Sequence, residues 1–131
     1  MAGSLTNYAE VEILDHIVGK TSFTMPTAYV ALFTVAPTDA GGGTEVTGGS
    51  YARVQTAGAD WAAASGGAIT NAEDIVFPTA SASWGEIVAA ALMDASSGGN
   101  MLIWGDLAAP KTVGEDDTFS LPAGNIDFTL D

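Results

Sequence analysis

Cysteine is absent from the 131 residues, which excludes disulfides and thiolate metal sites and leaves no mark of a redox compartment. Positive charge is nearly absent as well: Lys20, Arg53 and Lys111 stand against 16 Asp and Glu, for a net charge of −13. Binding a nucleic acid backbone depends on neutralising phosphates, and docking on anionic lipid needs basic clusters. Neither nucleic acid nor membrane is therefore an expected partner. Long apolar runs are also missing. The longest, around Ile87 to Met93, falls well short of the roughly 18 residues of a membrane helix. The opening Met1-Ala2-Gly3-Ser4 has no basic stretch leading into an apolar one, so a secretory signal is not expected. A product made in the cytoplasm that stays soluble follows from these absences.

What is present describes one folded domain over residues 1–131. Hydrophobic residues make up 47% of the chain, an ordinary share for a globular core and too high for disorder. The acidic excess keeps a crowded protein soluble, or supplies a surface for a basic partner. Tyr8, Val11, Leu14, Ile17 and Val18 recur at three- and four-residue spacing, which predicts a helix at about 7–18 with one apolar face. Asn7 and Glu10 stand in capping-box order, Thr6 is an alternative cap, and Gly19 can end the helix in the left-handed conformation. Glu10, Glu12, Asp15 and His16 fall mostly off the apolar face, so the helix is expected to lie against one end or edge of a sheet.

Beyond Gly19 the period changes to that of strands. Residues 28–36, rich in β-branched and aromatic side chains between Pro26 and Pro37, predict a strand buried on both faces. Shorter strands are expected at 51–56, 68–70, 75–77, 101–104, 111–113, 118–121 and 126–130. The run 86–93 contains three alanines, and helix is open to it on propensity alone. The closely following Gly98 and Gly99, with a partner run across that turn, favour a strand. About eight strands and one N-terminal helix give an all-β fold, a β-sandwich or jelly-roll-like domain. The 16 glycines, against roughly 9 at average usage, suit its many turns. Trp61, Trp84 and Trp104 are expected to cap or fill the core.

A search for chemistry returns bland readings. His16 is the sole histidine and sits on the polar side of the helix, with no nucleophile to pair with. Gly41-Gly42-Gly43 lacks the lysine and the following helix that a phosphate cradle needs. A partner-contacting loop is the better reading. Asp39, Asp60, Asp94, Asp106 and Asp116 fall in turns, where aspartate bonds the local backbone, and no facing carboxylate pair can be drawn from them. Glu115-Asp116-Asp117 is the densest acidic cluster. It lacks the alternating ligands of a calcium loop and reads as a solvated turn. No catalytic, cofactor-binding or metal-binding residue is expected, no cofactor is implied, and the chain is not expected to be an enzyme.

From residue 5 onward the chain resembles a family of small tailed-phage virion proteins, labelled in some genomes as tail fibre and in others as head decoration proteins. The resemblance rests on an ordered series. Leu5-Thr6-Asn7-Tyr8-Ala9-Glu10 runs into Leu14-Asp15-His16-Ile17-Val18-Gly19. Ala28 to Thr34 and Gly43 to Arg53 follow, then Ile75-Val76-Phe77-Pro78 before Trp84-Gly85, and Asp94 to Asn100 before the closing strands. It implies a β-sandwich without catalytic residues and a virion structural protein. The chain has neither repeats nor a coiled-coil shaft, so the expected role is a capsid decoration, or cement, protein. It would bind the major capsid protein on the outer head surface, as a homo-oligomer for which a trimer is plausible. Leu5, Tyr8, Gly41, Gly42, Gly43 and Tyr51 are the candidate contacts. The alternative is a tail-tip or tail-fibre-associated protein binding host glycans through aromatics such as Tyr51 or Trp61.

Overall fold

The computed structural model describes residues 1–130. A short strand, β1 (Ala2–Leu5), precedes the helix α1 (Asn7–Ile17). Thr6, the alternative cap, is the one used. Its hydroxyl accepts the Ala9 N–H at 3.3 Å and donates to the Met101 carbonyl at 2.6 Å. The cap thus anchors the start of the helix to the sheet as well as to itself. Gly19 takes the left-handed conformation at φ 78° and ends the helix.

The remaining strands are β2 (Tyr29–Val35), β3 (Thr44–Glu45), β4 (Val54–Gln55), β5 (Ala68–Thr70), β6 (Ile75–Val76), β7 (Gly85–Met93), β8 (Met101–Val113), β9 (Ser120–Leu121) and β10 (Asp127–Thr129). The fold is all-β and sandwich-like. An eight-stranded sheet runs β3-β2-β7-β8-β1-β10-β5 with β4 also on β2, and β6 pairs with β9 in a second, small sheet. All neighbours are antiparallel except β1 and β10, which run parallel. No helix among the described residues is long and apolar enough to cross a membrane.

Three expectations change. The run 86–93 is a strand, as the turn signals suggested, but 101–104 and 111–113 are one continuous strand, β8. Pro110 does not break it, because a bulge absorbs it: β7 advances two residues from Ile87 to Ala89 while its antiparallel partner β8 steps back five, from Lys111 to Asp106. Next, the expected strand 51–56 shrinks to Val54–Gln55, because Tyr51 and Arg53 are drawn into side-chain bonds described below. Lastly, β1 and β3 were not foreseen. Each is short and has no apolar alternation to announce it.

The central strands β2, β7 and β8 are apolar on both faces. Val30, Leu32, Ile87, Ala90, Leu92 and Leu102 join the main core with Ile75 and Phe77 near β6, Phe119 and Leu121 near β9, and Ile126 and Phe128 at the far end of the sheet. Ala31, Phe33, Ala89, Ala91, Met93 and Met101 form a second cluster on the opposite face. Trp84 is buried in the main core, while Trp61 and Trp104 pack partly buried at the edges of the two clusters. One polar side chain organises the loops beneath the main core. Buried Asn71 donates to the carbonyls of Glu73 and Pro122, each at 2.9 Å, and accepts the Ile126 N–H at 2.9 Å. Its amide group therefore has partners on both sides, as burial demands.

The join between β1 and β8 depends on paired glycines, Gly3 opposite Gly105. A Cβ at Gly105 would run into the Ala2 carbonyl, and one at Gly3 into the Phe128 ring and the Trp104 carbonyl. Gly105→Ala should therefore cost about 1–3 kcal/mol by overpacking. Leu32→Ala, at a fully buried position, should cost about 2–5 kcal/mol through its cavity. Urea unfolding of both variants beside the parent chain checks the two values. A Gly105→Ala variant as stable as the parent would mean the glycine pairing is dispensable.

Candidate functional site

The N-terminal segment and the glycine loop, chosen separately from sequence, meet in space. The Asn7 N–H donates to the Asp39 carbonyl at 2.9 Å, and the Trp104 indole N–H donates to the Asp39 carboxylate at 3.0 Å. These two bonds pin the loop between β2 and β3 across the second apolar face. Beside the pinned loop lies an open depression of about 620 Å³. Phe33, Met93 and Met101 contribute apolar lining. Asn7 and Tyr8 enter from the start of α1, Gly41 to Gly43 from the loop, and Gly98 to Asn100 from the β7–β8 turn.

The glycines have distinct tasks. Gly43, at φ 75°, lies so close to the chain that a Cβ there would sit 2.6 Å from the Val35 carbonyl. Only glycine fits that turn. Gly41 and Gly42 also have positive φ, but a Cβ on either would meet nothing within 4 Å. Gly41 has both its N–H and its carbonyl bonded to Thr38 across the turn, which leaves the Gly42 backbone as the open part of the loop.

Glu45 and Arg53 also line the depression, and with Tyr51 they form a network. The guanidinium grips Glu45 in two places, Nε to Oε2 at 2.8 Å and Nη2 to Oε1 at 2.7 Å. It also donates from Nη1 to the carbonyls of Ala95 at 2.6 Å and Gly98 at 2.8 Å. The Tyr51 hydroxyl donates to Glu45 at 2.7 Å and accepts the Leu32 N–H at 3.0 Å. Arg53 therefore fastens the β7–β8 turn to β3, and its planar fork suits that task better than a lysine would. Asp94 completes the turn by accepting from the backbone and side chain of Asn100 at 2.7 and 3.0 Å.

Burial raises the Tyr51 hydroxyl pKa, and the neighbouring Glu45 adds to the rise, so the phenol stays protonated. For Glu45, burial opposes ionisation, but the hydrogen bonds from Arg53 and Tyr51 and the guanidinium charge outweigh it. The carboxyl is held below its usual range.

The remaining expected residues fall elsewhere. Tyr51 is not a free contact: its ring stacks on Phe77 and meets Trp84 edge-on, and both its hydroxyl bonds are internal. Leu5 is partly buried against the main core and holds β1 in place. Trp61 packs on Phe128 and donates to Thr56, so it offers no exposed platform. His16 is exposed as expected, with Nδ1 accepting the Phe23 N–H at 3.0 Å. In the 115–117 cluster, Asp117 accepts the Gly114 N–H at 2.8 Å as a turn residue. No group of three or more His, Asp or Glu among the described residues is arranged to hold a metal ion. Sequence reasoning missed Asn100, Met93, Met101 and the Glu45–Arg53 pair. The pair's only signal was one arginine in a strand-like segment of an acidic chain.

Residues 4–129 match the family described as Podophage GP4 fiber I protein gp80. The chain belongs to this family. It is a bacteriophage structural protein of the fibre kind, and as such a part of the virion. The family description names a fibre and not a head decoration protein, which shifts the weight from the expected capsid role to its alternative. No curated protein matches the chain.

Two outcomes follow from the network. Arg53→Met leaves Glu45 charged and partly buried without its partner and frees two carbonyls; unfolding should show a loss of about 1–3 kcal/mol, between the values for exposed and fully buried pairs. Because the folded Glu45 carboxyl is depressed, its stabilisation is present above the unfolded value near 4.5 and is lost as pH falls through the lower folded value. Melting temperatures taken from about pH 5 to about pH 3 should fall more steeply for the parent than for Glu45→Gln. Parallel curves would refute the assignment.

Proposed function

We propose that this protein is a non-enzymatic fibre component associated with the phage tail, and that its depression meets neutral saccharides on the host surface. The observation that carries the reading is the make-up of the depression: apolar side chains beside an exposed aromatic, among amides and open backbone. Sugars present one face of C–H groups, which suits the exposed Tyr8 ring, and a rim of hydroxyls, which suits Asn7, Asn100 and the Gly42 backbone. Concave sites that combine apolar walls with a few convergent polar groups are the usual form of small-molecule sites. Arg53 is already engaged by Glu45, and the body around it is strongly acidic. Anionic sugars are therefore disfavoured.

A capsid cement role, with the major capsid protein as partner, stands as the second reading. It is supported by the short helical content: α1 has 11 residues, and nothing among the described residues resembles an extended coiled-coil shaft.

Two measurements test these readings. Copy number per purified particle should be small and match the tail symmetry; hundreds of copies would favour the head. Saturation-transfer NMR with a panel of neutral saccharides should give a signal that Tyr8→Ala weakens about tenfold, roughly 1.4 kcal/mol, within the range of aromatic contacts. Silence across the panel would remove the glycan part of the proposal.

A further inference from the structure

The depression does not end at the Glu45–Arg53 pair. A second one, of about 360 Å³, adjoins it there, and both are lined by Glu45, Arg53 and Gly98. The same two chain segments form the banks of each. On one bank, Gly41 to Gly43 and Glu45 line the first depression, and Glu45 to Gly48 line the second. On the other bank, Gly98 to Met101 line the first, and Ser96 to Gly98 line the second. Both banks change over at one place, Glu45 and Gly98. Arg53 ties them together at that place, donating to the Glu45 carboxylate at 2.7 Å and to the Gly98 carbonyl at 2.8 Å.

The crossing is low. The Arg53 and Glu45 side chains are 5% and 23% exposed, so the pair does not stand up as a barrier. Gly98 brings no side chain to it, and a Cβ there would meet nothing within 4 Å. The second depression is also free of net charge: its lining holds one carboxylate and one cation, Glu45 and Arg53, and they face each other. In a chain of net charge −13, that leaves a stretch without the field that would recruit or repel an ionic ligand. Its exposed polar side chains are the hydroxyls of Thr47, Ser96 and Ser97. Hydroxyls donate and accept alike, which matches the mixed donors and acceptors of a sugar.

We infer that the two depressions are subsites of one groove that takes a linear neutral oligosaccharide. One ring lies at Tyr8, and the following ones cross between Glu45 and Gly98 toward Thr47, Ser96 and Ser97. This deepens the saccharide reading above and rests on it. An open groove in two parts gives each ring only a few contacts, and a linked chain of rings turns the second contact into an intramolecular one. Arg53 is then a positioning residue: it sets the distance between the banks without being free to meet the ligand.

Saturation-transfer titrations of the full chain test the second subsite, with glucose, mannose, galactose and N-acetylglucosamine each offered as the monosaccharide and as a linear tetrasaccharide. For a sugar that binds, the tetrasaccharide should bind about tenfold more tightly or better. The chain has no cysteine, so Ser97→Cys gives a single thiol, and its coupling to N-cyclohexylmaleimide places an uncharged bulk in the second depression alone. Coupling should abolish the gain of the tetrasaccharide and leave monosaccharide binding unchanged, with the uncoupled variant as reference. Leu14→Cys, coupled in the same way, controls for the label. Helix α1 packs on β1 and β8 through Ala9, 2% exposed, and turns its apolar stripe outward instead of onto the sheet as expected; Leu14 is 62% exposed and lines neither depression. Its coupling should change nothing. A sugar that binds with no gain from length, or a gain that survives the label at position 97, overturns the second subsite and leaves the first depression standing. Loss of monosaccharide binding on coupling at 97 overturns the division into two subsites. Silence from every monosaccharide and tetrasaccharide removes the saccharide reading and this inference together.

Discussion

The structure depends on one constraint: its three central strands are apolar on both faces. Alternation along β2 sends Val30 and Leu32 to one side and Ala31 and Phe33 to the other, and β7 and β8 repeat the division. A sheet of this kind must be covered twice. The main face is covered by β6, β9 and the chain ends. The second face has fewer residues left to cover it, and its cluster is accordingly small, with three alanines among six buried side chains. Small side chains let a loop lie close, and the loop between β2 and β3 does so, held through Asp39. The depression is what remains where that cover stops.

Polar groups inside the fold are few, and among the described residues only the buried Thr70 hydroxyl lacks a partner. Asn71 joins two loops under the main core, while Arg53 joins the strand edge at Glu45 to the β7–β8 turn. In a chain with three basic residues, placing one in a half-enclosed ion pair is a costly use of positive charge on solubility grounds alone. Its effect is to fix the turn that forms one wall of the depression. The same interaction shapes the depression and balances one of the carboxylates that line it.

Two surface features of different character lie on separate elements. The depression is polar at its rim, concave and rigidly framed. The outer side of α1 is convex, apolar and flanked by carboxylates.

Much of this was legible in the residues. The helix and its stop at Gly19, the strand 29–35 with its double burial, the strand 85–93 and the all-β class follow from local periodicity and turn chemistry, because those signals lie within a few residues of one another. The pairing of Tyr8 with the glycine loop was also within reach as two candidate contacts, though not as one site. Other features depend on partners far apart in the chain. Tyr51 looked available and is enclosed, because Phe77 and Trp84 close on it from later strands. Strand β8 runs through Pro110 because β7 tolerates a bulge there. The apolar face of α1 was visible in the sequence, but its direction was not. Periodicity defines a stripe and carries no information on which side meets the sheet; that was decided by Thr6 bonding to Met101 and by the small Ala9 allowing the closer approach.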